Sequence, residues 1–172
     1  RSPDKIVEDL EKLSELGVET VFLFQDPRMG GKKYCEELVR KIRAANTSLV
    51  HLSMELFEPA DEEYIRSLSK IGIPLTLTIS PESGVNSIRI AHGRNYTNSE
   101  LFKTVESCRK YRDTIHLMVF FMNGLANETI ETIDEMPKLW EKICIMDKGF
   151  HSVNFAFGPL ILLDLGSLAF DY

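Results

Sequence analysis

The chain has 172 residues, of which 44% are hydrophobic and 27% charged, and its formal net charge is −6. This is the composition of a globular protein long enough for one domain with a hydrophobic core. The acidic balance argues against general nucleic-acid binding, which needs a basic face. No apolar run reaches the roughly 20 residues of a membrane span. Because we also find no signal peptide, we expect a cytoplasmic protein.

The first half of the chain alternates between helical and strand patterns. Ser2 and Pro3 begin a helix with one apolar stripe, and Gly17 ends it. A strand that is apolar on both faces is predicted next, as expected for a strand covered by helices. From this strand onward the predicted elements are a strand at 18–24, a helix at 32–45, a strand at 49–56 and a helix at 59–71.

The second half continues the alternation. A strand at 73–80 leads into the turn Pro81-Glu82-Ser83-Gly84 and a short helix near 85–91. Thr97 and Glu100 form a capping box for the next helix. The remaining predicted elements are a strand at 114–121, a helix that Asn127 caps and Pro137 breaks or restarts, and a strand at 153–157.

This alternation predicts a mainly parallel sheet with right-handed crossovers, within a single domain over residues 1–172. Periodicity fits both a barrel and an open doubly wound sheet. The three cysteines, Cys35, Cys108 and Cys144, lie far apart without a Cys/His cluster. We expect them to be small buried hydrophobes, and we predict no metal site within the chain.

Polar residues follow four of the five predicted strands, at the edge where β/α sheets bind ligands. They are Gln25 and Asp26, then Glu55 and Glu58, then Glu82, Ser83 and Arg94, then Asn123, Gly124, Asn127 and Glu128. Each also has a purely structural interpretation. Asp26 suits a turn before Pro27, Glu55 a helix dipole, Glu82 and Ser83 a cap, and Arg94 a surface ion pair.

The set after the third strand is the most informative. Glu82 can hold an ammonium group or ribose hydroxyls, and Arg94 can pair bidentately with a carboxylate. Gly84 lets the backbone come close to a ligand. The pattern therefore predicts a site for a zwitterionic ligand that carries a ribose.

Four segments together resemble the radical S-adenosylmethionine (radical SAM) family, in the branch that often carries a cobalamin-binding domain upstream. Arg1-Ser2-Pro3 with the following helix resembles the stretch that these proteins have after their cluster loop. Residues 81–97 resemble the family's "E-S-G … G-R-x-Y-(T/S)" segment, and residues 121–129 resemble "G-L-P-G-E-T". Residues 159–171, with Leu165-Gly166-Ser167, resemble its late "P-G-(S/T)" segment. The resemblance implies a partial TIM-type (β/α)6 barrel that lacks its N-terminal strand.

The resemblance also implies roles. Glu82 and Ser83 would face the ribose and methionine parts of S-adenosylmethionine, and Arg94 its carboxylate. Gln25 or Asp26 would lie near the methionine amine. Asn123, Gly124, Phe155 and Phe157 would border the adenine.

Several family features are absent from the sequence. There is no C-x-x-x-C-x-x-C loop for a [4Fe–4S] cluster and no D-x-H-x-x-G cobalamin signature, and Phe24-Gln25-Asp26 stands where the family has Gly-Gly-Glu. We therefore expect an inactive core fragment of a radical SAM enzyme with an unidentified substrate. Its cluster ligands, and a cobalamin domain if the protein has one, would lie upstream. Without a first strand, residues 18–24 would form an unpaired apolar edge, which favours a dimer.

Two other functions remain open from the sequence alone. One is a non-catalytic β/α binding or assembly module that has lost its iron. The other is a divalent-metal-dependent barrel lyase or hydrolase that uses Asp26, Glu55 and Glu82.

Overall fold

A computed structural model describes residues 1–149 and 152–158. The helices are α1 (Pro3–Glu15), α2 (Lys32–Ala44), α3 (Glu62–Leu68), α4 (Asn86–Ala91), α5 (Asn98–Lys110), α6 (Ile130–Ile133) and α7 (Glu135–Asp147). The strands are β1 (Thr20–Leu23), β2 (His51–Leu56), β3 (Leu75–Glu82), β4 (Ile115–Met122) and β5 (Val153–Gly158). The late segment around Leu165-Gly166-Ser167 lies outside the described residues.

The five strands form one parallel sheet in the order β1-β2-β3-β4-β5. Each strand therefore lies beside its successor in the chain. A doubly wound sheet reverses its strand order at a switch point, whereas a barrel does not. The order decides between the two architectures that periodicity left open, and the predicted α/β fold of partial-barrel type is confirmed.

The two faces of the sheet differ in polarity. One face packs against the helices, and Leu52, Met54, Leu77 and Val119 on it are fully buried. On the other face, every second residue is only half-buried. We call this the open face, and its side chains on β2, β3 and β4 are His51, Ser53, Glu55, Thr76, Thr78, Ser80, His116, Met118 and Phe120.

Strand β3 is longer at its carboxyl end than the sequence predicted. The register with β4 shifts between Ile79 and Glu82, as at a β-bulge, so the strand continues through Pro81 and ends at Glu82. Glu82 takes a positive φ of 64° there. Because a non-glycine residue rarely adopts this conformation, the bulge and the turn after it must hold Glu82 in place.

Some local predictions are confirmed and others are wrong. Thr97 forms the predicted capping box of α5, and a new helix, α7, begins just before Pro137. Asn127 does not cap a helix: Thr129 caps α6, and Asn127 lies in a turn with a positive φ. Cys35 and Cys108 are buried as expected, whereas Cys144 is exposed because it lies on the outer side of α7.

Strand β1 lies at one edge of the sheet and pairs only with β2 among the described strands. Phe22 within it and Phe24 just after it are 44% and 73% exposed, and their rings contact each other edge to face at 5.0 Å. The apolar edge predicted from the sequence is therefore present. Within the residues that the structure describes, no helix is both long and apolar enough to cross a membrane.

Candidate functional site

Glu82 and Arg94 meet at the carboxyl edge of the sheet. The Nε of Arg94 donates a hydrogen bond to Oε1 of Glu82 at 2.9 Å. The Glu82 side chain is 14% exposed and that of Arg94 is 29% exposed, so solvent reaches both. Neither Glu82 Oε2 nor the two Nη groups of Arg94 make a hydrogen bond within the described residues. The pair therefore has both acceptor and donor groups available to a ligand.

Ser83 makes no side-chain hydrogen bond with this pair within the described residues. Its side chain is completely buried, and its Oγ accepts a hydrogen bond from the Val85 N–H at 3.2 Å. This contact agrees with the structural interpretation of Ser83, in which its hydroxyl caps the turn. Gly84 is needed for packing, since a Cβ there would lie 2.9 Å from the α7 backbone at Glu135 and Met136.

A buried arginine that is not among the predicted site residues holds this segment together. Arg89 on α4 is completely buried. Its guanidinium donates to carbonyl oxygens on both sides of α4, and burial lowers its pKa. The acceptors are Ser83 O at 2.8 Å, Pro81 O at 3.3 Å, Tyr96 O at 3.3 Å, Asn98 Oδ1 at 2.5 Å and Asn86 Oδ1 at 3.4 Å.

These bonds join the strand that carries Glu82 to the loop that carries Arg94. Arg89 has no carboxylate partner in the described residues, and its charge lies 5.1 Å from the centre of the Tyr96 ring. A buried arginine paired only with carbonyls positions backbone rather than balancing charge. The sequence does contain a signal for this buried arginine, since Arg89 lies in a short helix directly after the apolar Ile88.

Tyr96 is the second buried polar group near the pair. It is 3% exposed, and its hydroxyl has no hydrogen-bond partner within the described residues. Burial raises the pKa of Tyr96 to about 12, although Arg89 and Arg94 lower it in part. The hydroxyl is therefore protonated at neutral pH.

The predicted residues after β1 form no hydrogen bond or ion pair with Glu82 within the described residues. Asp26 is 3% exposed, and it pairs with Arg28, whose Nη2 lies 2.6 Å from Oδ2. It also accepts from the Phe57 N–H at 3.1 Å. Asp26 thus links the loops after β1 and β2. Gln25 is exposed and lines a separate cavity of about 230 Å³ with Tyr34 of α2.

Glu55 and the loop after β4 also form no hydrogen bond or ion pair with Glu82 or Arg94 within the described residues. Glu55 lies on the open face beside Thr78, and its carboxylate has no hydrogen bond or ion pair among the described residues. After β4, Oε2 of Glu128 accepts from the N–H groups of Gly124 at 2.7 Å and Leu125 at 2.9 Å. Asn123 is exposed and its N–H donates to Gly158 O at 3.3 Å.

Phe155 and Phe157 lie on the helix-covered face. Phe155 stacks on Phe121 of β4 at 6.3 Å between ring centres and packs against Trp140 of α7 at 5.4 Å. Phe157 stacks on the same Phe121 at 5.5 Å. Both rings therefore face away from the open face that carries Glu55.

Of the ten predicted site residues, the structure brings Glu82 and Arg94 into direct side-chain contact. The described parts of the chain contain no group of three His, Cys, Asp or Glu placed to hold a metal ion. Asp26, Glu55 and Glu82, which a metal-dependent lyase or hydrolase would need, are thus not gathered. Cys35, Cys108 and Cys144 lie on three different helices, so they do not fit a [4Fe–4S] cluster.

The fold is similar to that of solved structures, of which two are described here. Coproporphyrinogen III oxidase (HemN) from Escherichia coli, described as a radical SAM enzyme, aligns with 94% of this chain and 38% of its own at a TM-score of 0.63 and 12% identity. Elp3 from Methanocaldococcus infernus, with an N-terminal deletion, aligns with 99% of this chain and 46% of its own at a TM-score of 0.61 and 14% identity. At sequence identities this low, the similarity shows a shared fold alone.

Sequence comparison gives the family. An uncharacterized protein of Methanocaldococcus jannaschii is 26% identical over 160 residues, which cover 90% of this chain and 34% of the relative. The chain thus spans about a third of the length of that relative. The profile of the Radical SAM superfamily matches residues 1–139, which is most of the chain. Members of this superfamily in general use S-adenosylmethionine with a [4Fe–4S] cluster, and the chain belongs to the Radical SAM superfamily.

Proposed function

We propose that this chain forms the S-adenosylmethionine-binding part of a radical SAM enzyme, with Glu82 and Arg94 as the residues that hold the ligand. The observation that supports this most strongly is their contact at the carboxyl edge of the sheet, with hydrogen-bonding groups left over on both. Glu82 would accept hydrogen bonds from the ribose hydroxyls. Arg94 would pair with the carboxylate of the methionine part.

The ion pair does not prevent ligand binding. Solvent reaches both side chains and screens their attraction, and fully exposed ion pairs contribute about 0.2–1 kcal/mol. A ligand that brings its own carboxylate and hydroxyls can therefore replace the contact at little cost. The buried Arg89 keeps the two backbone segments in place while the side chains move.

The chain's own residues would bind and orient S-adenosylmethionine. Since its three cysteines do not fit the cluster that the superfamily uses for reducing S-adenosylmethionine, we propose that the cluster ligands come from outside these residues. The chain alone is then inactive in radical chemistry. A cobalamin domain would likewise lie elsewhere, and the cobalt content of the intact protein tests for it.

The open face indicates which substrates suit the site. On β2, on β3 before its bulge, and on β4, it carries one carboxylate, Glu55, two imidazoles, His51 and His116, and several hydroxyls, but no lysine or arginine. A wall without cations gives no compensation for the charge of a phosphate or carboxylate. We therefore propose a neutral or cationic substrate that carries hydroxyl or amino groups.

The test is a calorimetric titration of the chain with S-adenosylmethionine. The double variant Glu82→Ala/Arg94→Ala should lose binding and keep its circular dichroism spectrum. A matched control, Glu62→Ala/Lys110→Ala, removes another partly exposed ion pair, between α3 and α5. It should bind as the wild type does. Equal binding by the Glu82/Arg94 variant would refute the assignment.

A further inference from the structure

A second cavity lies on the helical side of the sheet, between α2 and α3. Its volume is about 630 Å³, which is within the range of small-molecule sites, roughly 300–1,000 Å³. Cys35, Val39 and Tyr64 contribute apolar surface to its lining. Neither Glu82 nor Arg94 lines it, so it is distinct from the site proposed above.

The walls of this cavity are rich in cations. Six of its lining residues are basic: Arg28, Lys32, Arg40 and Arg43 from α2 and the turn before it, and Arg66 and Lys70 from α3 and the turn after it. Three are acidic: Glu36, Asp61 and Glu63. The chain as a whole is acidic, with a net charge of −6. The local excess of positive charge thus opposes the overall balance.

Two of the six cations are already paired. Arg28 pairs with Asp26 at 2.6 Å, and Lys32 pairs with Glu63 at 3.0 Å across the gap between the helices. Asp61 is also engaged, because its side chain caps α3 by accepting from the Tyr64 N–H.

The other four cations, Arg40, Arg43, Arg66 and Lys70, have no hydrogen bond or ion pair within the described residues. Glu36 is the one lining carboxylate left without a hydrogen bond in that part of the chain. Four cations and one carboxylate without partners give this cavity wall a net positive charge, which favours binding of an anion.

The helix dipole explains only part of this arrangement. A cation near a helix C-terminus is favourable, and Arg43, Arg66 and Lys70 occupy such positions. However, α2 and α3 both precede neighbouring strands of a parallel sheet, so their C-terminal ends lie side by side. Cations that line one cavity from two helices repel each other, and an anion between them removes that repulsion.

We infer that this cavity binds a small anion in which a phosphate or carboxylate group is attached to an apolar body. The anionic group would lie between Arg43 and Lys70 and their neighbours. The apolar body would contact Val39 and the Tyr64 ring. Arginine suits such a group because its planar donors match two oxygens at once.

Phenyl phosphate is the probe, because it combines one phosphate with one apolar ring. Amide NMR spectra of the labelled chain are recorded during titration to millimolar concentrations. We expect saturable shifts confined to α2, α3 and the turns beside them. Inorganic phosphate, which lacks the apolar ring, and benzyl alcohol, which lacks the phosphate, should each bind at least tenfold more weakly than phenyl phosphate. Shifts that do not saturate, or that lie elsewhere, would overturn the inference.

The variant Arg43→Glu/Lys70→Glu should bind phenyl phosphate at least tenfold more weakly than the wild type. Lys33→Glu/Lys142→Glu changes the net charge equally at exposed positions that do not line the cavity. It should keep the affinity within a factor of two. Arg43→Gln/Lys70→Gln is the milder variant and should show an intermediate loss. If the two Glu variants bind equally well, or lose affinity equally, the four cations do not form the site.

Discussion

The buried guanidinium of Arg89 allows a quantitative prediction. Replacing Arg89 with Met keeps a long apolar side chain but removes all five hydrogen bonds of the guanidinium. The carbonyls of Ser83 and Tyr96 then lose the only hydrogen bond that the described residues give them. Each buried acceptor left unpaired costs about 1–3 kcal/mol.

Two unpaired acceptors would lower the free energy of unfolding by about 2–6 kcal/mol. Part of this loss is offset, because the variant no longer buries a cation without a carboxylate partner. We therefore expect Arg89→Met to lower the free energy of unfolding by about 3 kcal/mol, since large losses come from broken buried networks. Arg89→Lys keeps an ammonium with three donors and should lose about half as much. Urea denaturation followed by circular dichroism measures both.

The Arg89→Met variant should also lose hydrogen-exchange protection in one region of the chain. Because Arg89 joins the segments that carry Glu82 and Arg94, amide hydrogen exchange should rise first at residues 82–98 in the Met variant. The same variant, under conditions where it is folded, should bind S-adenosylmethionine more weakly than the Lys variant. If Arg89→Met unfolds within about 0.5 kcal/mol of the wild type, the cost assigned to the unpaired carbonyls is wrong.

Two further predictions concern stability at high pH and self-association. Burial raises the pKa of the Cys108 thiol from 9.0 to about 12. The unfolded thiol therefore loses its proton first, and the free energy of unfolding should fall as the pH rises above 9, by up to about 1.4 kcal/mol per pH unit. Cys108→Ala should reduce this slope in denaturation experiments, and unchanged slopes would contradict the prediction. Separately, the exposed apolar edge at β1 should make the chain dimeric in light scattering, and Phe22→Lys/Phe24→Lys should make it monomeric; a wild-type monomer at high concentration would refute this.

The architecture was predictable because each element carried its own signal. The apolar periodicity of the strands and the Gly17 and Thr97 boundaries are local patterns, and alternation of helix and strand implies parallel pairing. Strand order was not predictable from periodicity, since it depends on how the sheet curls as a whole. The β3 bulge also escaped prediction, because Pro81 normally signals the end of a strand.

The sequence predicted a set of candidate site residues, but not which partners each of them contacts. Glu82 and Arg94 were named together because both come shortly after the third strand, and they do form a pair. Asp26, in contrast, is held by Arg28, two residues later in the chain. The sequence leaves open whether a carboxylate beside a turn faces a ligand or a neighbouring cation. Arg89 was missed because buried cations are rare enough that surface exposure is the usual expectation.

The most direct test of the proposed function is a crystal structure of the chain with S-adenosylhomocysteine, which keeps the ribose and the amino-acid carboxylate. We predict that the ribose hydroxyls contact Glu82 and that the carboxylate contacts Arg94, with the Nε–Oε1 distance longer than the 2.9 Å of the free pair. A ligand bound elsewhere, while Glu82 and Arg94 remain paired with each other, would contradict the account.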